Sequence, residues 1–247
     1  MNGFEPLIAA LAGGILPPLA WLWFWRREDS VHPEPRRLIA LAFLAGMVAV
    51  AVVIPLEKMA ASLISAQELW VAAAVGTTTL TFVIWSAMEE LIKYVMAKLT
   101  VLRRREDDEP IDPVIYMVTV ALGFAAAENT LFLLSPLSGD TLMQTLLTGN
   151  LRFVGATLLH VLSSAVIGVA LGLSFYKKKS IKRWYALIGV ILAATLHSIF
   201  NFLILNTPEE HLLRTFGFVW IGLIILLAML EYIKRIHPVI KQKLWRS

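Results

Sequence analysis

The stretch "AMEELIKYVMA" (Ala87–Ala97) closes a long apolar segment and carries the strongest information about the fold. The segment is typical of a membrane-spanning helix, yet it contains Glu89, Glu90 and Lys93. A charged side chain at the centre of such a helix costs about 2.5–3.5 kcal/mol on insertion scales. A span with a purely structural role would use leucine at these positions. Ionisable residues there therefore indicate a functional site that faces the interior of a helix bundle.

The apolar character of this segment extends over almost the whole chain. Of the 247 residues, 58% are hydrophobic and 16% are charged, whereas a soluble domain carries about 25% charged residues. Apolar runs recur from end to end, so the sequence predicts an all-α, polytopic membrane protein. We expect one integral membrane domain over residues 1–247, with the functional helices at about 70–205. Seven transmembrane helices in one bundle are predicted, at about residues 5–25, 38–56, 70–100, 113–134, 152–176, 184–205 and 213–233.

The basic residues predict the orientation of this bundle. Most of the 22 lysines and arginines fall in one set of alternate loops and at the C-terminus. By the positive-inside rule, the N-terminus is expected outside and the C-terminus in the cytoplasm. Glu57, Lys58 and Glu68 then belong to a solvated outer loop. The net charge of +4 reflects topology and attraction to anionic lipid rather than nucleic-acid binding. We predict a multi-pass protein of a prokaryotic plasma membrane.

Further polar residues within the predicted spans converge on one depth. They are Glu128, Asn129, His160, His197 and Asn201. At about 1.5 Å of rise per residue, Glu89, Glu128 and the two histidines lie about 21–25 Å from the basic ends of their spans. In a hydrocarbon core of about 30 Å, these positions share one layer. Four helices can therefore contribute to one buried site.

The local spacing supports such a site but leaves other interpretations open. Lys93 lies three and four residues after the two glutamates, so it can pair with either carboxylate. The pair could serve only to fix helix packing, and His160 could make an ordinary interhelical hydrogen bond. A proton-coupled small-molecule transporter would also place such residues at mid-depth, although it would more often show an internal repeat. A haem protein could use His160 and His197 as axial ligands.

The residue types restrict the chemistry. The chain has no cysteine, no HExxH motif of zinc proteases, no GxSxG motif of serine hydrolases, and no aspartate well inside a predicted span. Carboxylate, imidazole and amide groups remain, and these can activate water by general-base catalysis and stabilise an oxyanion. The sequence therefore indicates hydrolysis of a polarised carbonyl within the membrane.

Four motifs, in order on successive spans, resemble those of the PrsW family of intramembrane proteases. They are "EELIK" (Glu89, Glu90, Lys93), "FAAAEN" (Phe124, Glu128, Asn129), "HVLSSAVIGVALG" from His160, and "HSIFN" (His197, Asn201). The resemblance covers about residues 85–205. A more distant similarity extends to the type II CAAX prenyl proteases, which are glutamate-dependent.

The resemblance implies an intramembrane endopeptidase that cuts a membrane-anchored protein, such as an anti-sigma factor, near its extracytoplasmic side and so starts a stress response. The catalytic residues that it implies are Glu89, Glu90, Lys93, Glu128, Asn129, His160, His197 and Asn201. It assigns Glu89 as the general base assisted by His160, with His197 and Asn201 as the oxyanion hole. Glu128 is the alternative base.

The same resemblance sets the expected partners. They are the lipid bilayer and a single-span membrane protein as substrate, with no nucleic acid. We expect no cofactor, although two glutamates and two histidines could hold a zinc ion.

Overall fold

The structure, a computed structural model, describes residues 4–28, 32–66, 76–134, 142–206 and 212–236, and these residues form seven α-helices. They are α1 (Phe4–Glu28), α2 (Arg36–Ala66), α3 (Thr77–Thr100), α4 (Asp112–Leu134), α5 (Leu142–Leu173), α6 (Lys179–Asn206) and α7 (Leu212–Ile233). The described residues contain no β-strand. The predicted all-α architecture is confirmed.

Four of the described helical segments are long and apolar enough to cross a membrane: Arg36–Ile64, Asp112–Leu134, Gly155–Leu173 and Lys179–Leu203. Within α7, Gly217–Ile233 forms a further apolar helical segment. Helix α3 has sufficient length, but Glu89, Glu90 and Lys93 reduce its mean apolarity. The three charged residues that predict the functional site thus also make α3 less apolar than the neighbouring helices.

Helix α2 extends further than the sequence indicated. The predicted span ended at residue 56, and the charged pair Glu57–Lys58 was placed in the outer loop that follows. The helix instead continues through Pro55 to Ala66, as neighbouring helices in a membrane can compensate a proline. Glu57 and Lys58 are therefore helical, which corrects their placement in an outer loop, and Glu68 lies outside the described residues.

Helix α4 forms the centre of the bundle. Its residues from Asp112 to Ala126 are all buried, and it packs against α1, α2 and α5. The helix begins at Asp112–Pro113, where proline is favoured because its missing N–H needs no partner in the first turn. Oδ2 of Asp112 accepts hydrogen bonds from the backbone N–H groups of Asp108 and Glu109, at 2.8 and 2.6 Å. These bonds fix the preceding connection against the start of the central helix.

Two glycines allow α2 and α4 to approach closely. A Cβ atom on Gly123 would overlap the carbonyl oxygen of Phe43, and one on Gly46 would overlap the carbonyl oxygen of Val120. Small residues at a crossing of membrane helices permit backbone contact of this kind. Gly168 of α5 similarly meets the backbone of Val114. The close approach at Gly123 and Gly168 holds α2 and α5 on either side of α4.

Candidate active site

In helix α3 the polar side chains are buried and the large apolar side chains are exposed, which is the reverse of a helix in a soluble protein. Its buried residues are Ser86, Glu89, Glu90, Lys93 and Ala97, which recur every three or four positions and so lie on one face. Large apolar residues point outward instead, among them Leu91 and Leu99. The polar face of α3 packs against α5 and α6. The arrangement matches a membrane helix that turns its charges toward the bundle interior.

Of the charged side chains on this face, Glu90 makes the most hydrogen bonds and ion pairs. Its Oε1 lies 2.8 Å from Nζ of Lys93, 2.9 Å from Oγ of Ser163 and 2.9 Å from Nδ1 of His197. Its Oε2 accepts a hydrogen bond of 2.7 Å from Ser164. The side chain is fully buried. Glu90 therefore joins α3, α5 and α6, and its role is to position the groups around it.

Lys93 is a buried cation in contact with three polar groups. Besides Glu90, its Nζ lies 2.8 Å from Nδ1 of His160 and 3.5 Å from Oε2 of Glu89. It also lies 4.2 Å from the centre of the Phe124 ring, where the negative face of the ring attracts it. An ammonium group has only donors, so Nδ1 of His160 must accept.

The hydrogen bonds determine which nitrogen of each histidine carries the proton. Because Nδ1 of His160 accepts from Lys93, its Nε2–H donates to Oε2 of Glu128 at 2.6 Å. Nδ1–H of His197 donates to Glu90, so in the neutral ring Nε2 carries the lone pair. The rings are 5.0 Å apart and nearly perpendicular. Each histidine is thus oriented by a carboxylate at one nitrogen, and its other nitrogen is an acceptor.

Those two acceptor nitrogens converge on Glu89. Its Oε2 lies 3.7 Å from Nδ1 of His160 and 3.9 Å from Nε2 of His197. The three residues can each offer one ligand atom, and all three atoms lie within 4.8 Å of one another. Ligands at about 2.0–2.2 Å from a tetrahedral zinc ion lie about 3.4 Å apart. The donor set and its spacing fit a divalent metal ion.

A cavity of about 270 Å³ opens beside Glu89 between α2 and α4. Its wall is mostly apolar, and it includes the carboxylates of Glu57, Glu89 and Glu128. The side chain of Glu128 is 45% exposed, whereas that of Glu89 is 9% exposed. Glu57 was not among the predicted site residues, because the charged pair Glu57–Lys58 is typical of a solvated loop. The continuous apolar periodicity of α2 beyond Pro55 is the signal that could have revealed it.

The two asparagines lie apart from the cluster. Nδ2 of Asn129 donates to Thr157 at 3.2 Å, and Nδ2 of Asn201 donates to Ser86 at 3.4 Å. Both bonds connect neighbouring helices. The structure thus brings together Glu89, Glu90, Lys93, Glu128, His160 and His197, and it places the asparagines among the contacts that hold those helices.

Comparison with known proteins gives a consistent assignment. Residues 34–230 match the family described as PrsW family intramembrane metalloprotease. The chain is 28% identical to Protease PrsW of Geobacillus kaustophilus over 81% of each chain. It is 24% identical to Protease PrsW of Bacillus subtilis over 87% of this chain and 92% of the relative. No solved structure matches the chain.

The family match covers the whole of the clustered site and most of the bundle, and these relatives are named as proteases rather than as transporters. The predicted family is therefore confirmed. The chain belongs to the PrsW family of intramembrane proteases, as a multi-pass cell-membrane enzyme whose substrates are proteins embedded in the lipid bilayer.

Proposed function

We propose that the enzyme hydrolyses peptide bonds with Glu89, His160 and His197 holding a divalent metal ion. The observation that carries this proposal is the convergence of Nδ1 of His160 and Nε2 of His197 on Oε2 of Glu89, at 3.7 and 3.9 Å. In metal sites, a ligating histidine typically donates its other N–H to a carboxylate or carbonyl. Glu128 and Glu90 accept these two hydrogen bonds.

The charge of the cluster also favours a bound cation. With Glu89, Glu90 and Glu128 ionised and both histidines neutral, the cluster would carry three negative charges against the single positive charge of Lys93. An uncompensated charge is costly in a medium of low dielectric constant. One divalent ion would make the cluster neutral.

Lys93 would have to adjust when a metal ion binds. Nδ1 of His160 has one lone pair in the ring plane, so it cannot accept from Lys93 and bind a metal at the same time. Lys93 can retain its 2.8 Å pair with Glu90 while it withdraws from His160. Lys93 and Glu90 are therefore positioning residues in this proposal.

The chemistry is the addition of water to a peptide carbonyl. When bound, a zinc ion supplies Lewis-acid polarisation of the water and of the carbonyl. A bond forms between the water oxygen and the carbonyl carbon, and the carbon–nitrogen bond then breaks. The Glu128 carboxylate takes the proton from water and returns it to the leaving nitrogen. One oxygen of Glu128 is fixed on His160, and the side chain is open to the cavity.

These roles differ from those expected by resemblance. Glu89 becomes a ligand and Glu128 the base, which was the alternative considered for the sequence. A neutral His197 with its proton on Nδ1 has no N–H left for an oxyanion, and Asn201 already donates to Ser86. The geometry therefore favours a metal ligand over an oxyanion-hole donor at His197.

The substrate that we propose is a single-span protein, such as a membrane-anchored anti-sigma factor, cut near its extracytoplasmic side. Glu128 lies six residues, about 9 Å, before the end of α4 at Leu134. In the predicted orientation, this end of α4 faces outward. The apolar wall of the cavity suits a substrate side chain, and the substrate helix must unwind there because helical carbonyls are already bonded.

The test is cleavage of a single-span substrate in liposomes. Glu89→Gln, His160→Ala and His197→Ala should each reduce the cleavage rate by about a hundredfold or more, because a lost ligand or catalytic group typically removes that much activity. Glu231→Gln, at an exposed residue of α7, is the control and should cleave normally. Full cleavage by any of the three site variants would contradict the proposed site.

A further inference from the structure

A second cavity lies at the end of the bundle that carries most of the basic residues. It has a volume of about 380 Å³ and lies where α3 and α5 end and α4 and α6 begin. Five basic side chains line it, and we refer to them as the basic set: Lys98, Arg103, Lys179, Lys182 and Arg183. The remaining wall is largely apolar and aromatic, with Leu102, Leu171 and Phe175. A cavity with cations on one side and apolar groups on the other suits a ligand that is anionic at one end.

The basic set has little compensation by ion pairs, although the charge of Lys182 acts on the Asp107 carboxyl group in the same cavity. Among the described residues, none of its members lies within 4 Å of a carboxylate oxygen, the distance of an ion pair. Two of them lie over aromatic rings instead: Lys98 is 5.3 Å from the centre of the Tyr94 ring, and Lys182 is 4.9 Å from that of Phe175. The first turn of α6 adds backbone N–H groups and the positive end of a helix dipole. These groups together favour a phosphate.

One acidic residue of the same cavity specifies the ligand further. Oδ1 of Asp107 is buried and has no hydrogen-bond partner in the part of the chain that the structure describes. Such an atom is expensive unless a donor reaches it. Burial, with a further contribution from the charge of Asp112, raises the pKa of Asp107 to about 7. A ligand hydroxyl could donate to this oxygen while the phosphate contacts the basic set.

The position of the cavity indicates where the ligand comes from. Tyr94 and Lys98 belong to the last two turns of α3, and Arg103 follows that helix. The cavity therefore lies where α3 leaves the apolar core. Basic pockets between membrane helices at this level are sites for lipid headgroups.

We propose that this cavity binds the hydroxyl-bearing headgroup of an anionic phospholipid, with the phosphate among the basic set and a headgroup hydroxyl donating to Asp107. The shared chemistry is that of a phosphate ester with a free hydroxyl group. Phosphatidylglycerol is the lipid probe of this chemistry, and glycerol 1-phosphate is its soluble counterpart.

The first experiment measures lipid retention by native mass spectrometry of the full-length protein in a neutral detergent. The double variant Lys98→Gln/Lys182→Gln should bind phosphatidylglycerol at least about tenfold more weakly than the wild type, because charge-assisted hydrogen bonds to phosphate are lost. The matched control Lys177→Gln/Lys178→Gln removes the same charge from exposed residues outside the cavity, and it should retain the lipid. Equal affinity of the two double variants would overturn the proposal.

Two further arms separate the source and the geometry of the ligand. Glycerol 1-phosphate should not raise the melting temperature at concentrations where short-chain phosphatidylglycerol does, and equal stabilisation would overturn a lipid source. Wild-type protein should bind phosphatidylglycerol more tightly than phosphatidic acid, which has no hydroxyl-bearing glycerol in its headgroup. The Asp107→Ala variant should lose this preference. An unchanged preference in Asp107→Ala would overturn the contact with Asp107. The melting temperature of each lipid-free variant establishes that it is folded.

Discussion

Glu89 and Glu90 are adjacent in sequence, and their surroundings differ sharply. Glu90 makes four polar contacts of 2.7–2.9 Å with three helices, whereas the nearest donor to Glu89 is Lys93 at 3.5 Å. Glu90 connects three helices, whereas Glu89 makes only a longer contact with Lys93, as the proposed role of a metal ligand requires. This division could not be inferred from the motif, in which both glutamates look alike.

The contrast leads to a prediction about stability. Glu90→Gln leaves Lys93 without its closest anion, and breaking a buried pair in this way costs about 3–5 kcal/mol. Glu89→Gln removes one of several like charges, so we expect an unchanged or raised melting temperature together with loss of cleavage. Thermal unfolding of both variants in the same detergent provides the measurement. A larger loss of stability in Glu89→Gln than in Glu90→Gln would contradict the assigned roles.

Asp107 provides a prediction about pH. Its pKa is raised from 3.8 to about 7, first by burial and then by Asp112. The folded protein therefore holds a proton there that the unfolded chain has lost, so folding stability falls as pH rises from about 4 to about 7. Asp107→Asn cannot ionise and should raise the melting temperature more at pH 8 than at pH 5. The same increase at both pH values would show that ionisation of Asp107 is not the cause.

At the level of helices, the sequence predicted the presence of each helix better than it predicted the helix boundaries. The apolar runs predicted each of the seven helices that the described residues form. The error in α2 arose because the charged pair Glu57–Lys58 suggested a loop, whereas the helix continues to Ala66 and the carbonyl oxygen of Glu57 accepts a hydrogen bond from Trp85 of α3. As a consequence, the third carboxylate of the cavity was missed.

The α2–α4 crossing can be tested with a matched pair of glycines. Gly123→Ala forces a Cβ atom into the backbone of Phe43, and overpacking of this kind typically costs about 1–3 kcal/mol. In the part of the chain that the structure describes, no atom lies within 4 Å of a Cβ added at Gly217, and alanine is about 1 kcal/mol better than glycine in a helix. We expect Gly123→Ala to melt several degrees below the wild type and Gly217→Ala to melt at or above it. Equal melting temperatures for the two variants would argue against the close crossing.

Considered as a whole, the molecule surrounds a polar cluster with an apolar bundle. The motif spacing and the depth estimate were sufficient to predict that α3, α4, α5 and α6 contribute to one site. The sequence could not predict that two carboxylates would orient the two histidines, because this depends on side-chain directions across helices that are far apart in the chain. That detail changes the expectation from a site without a cofactor to one that fits a metal ion.

Metal analysis of the full-length enzyme tests the central claim most directly. Protein purified without chelator should contain about one zinc ion per chain, and X-ray absorption should show two imidazole nitrogens and a carboxylate oxygen as ligands. Removing the metal should abolish cleavage of a reconstituted substrate, and added zinc should restore it. Chelator-treated enzyme that contains no metal and still cleaves at the full rate would contradict the account.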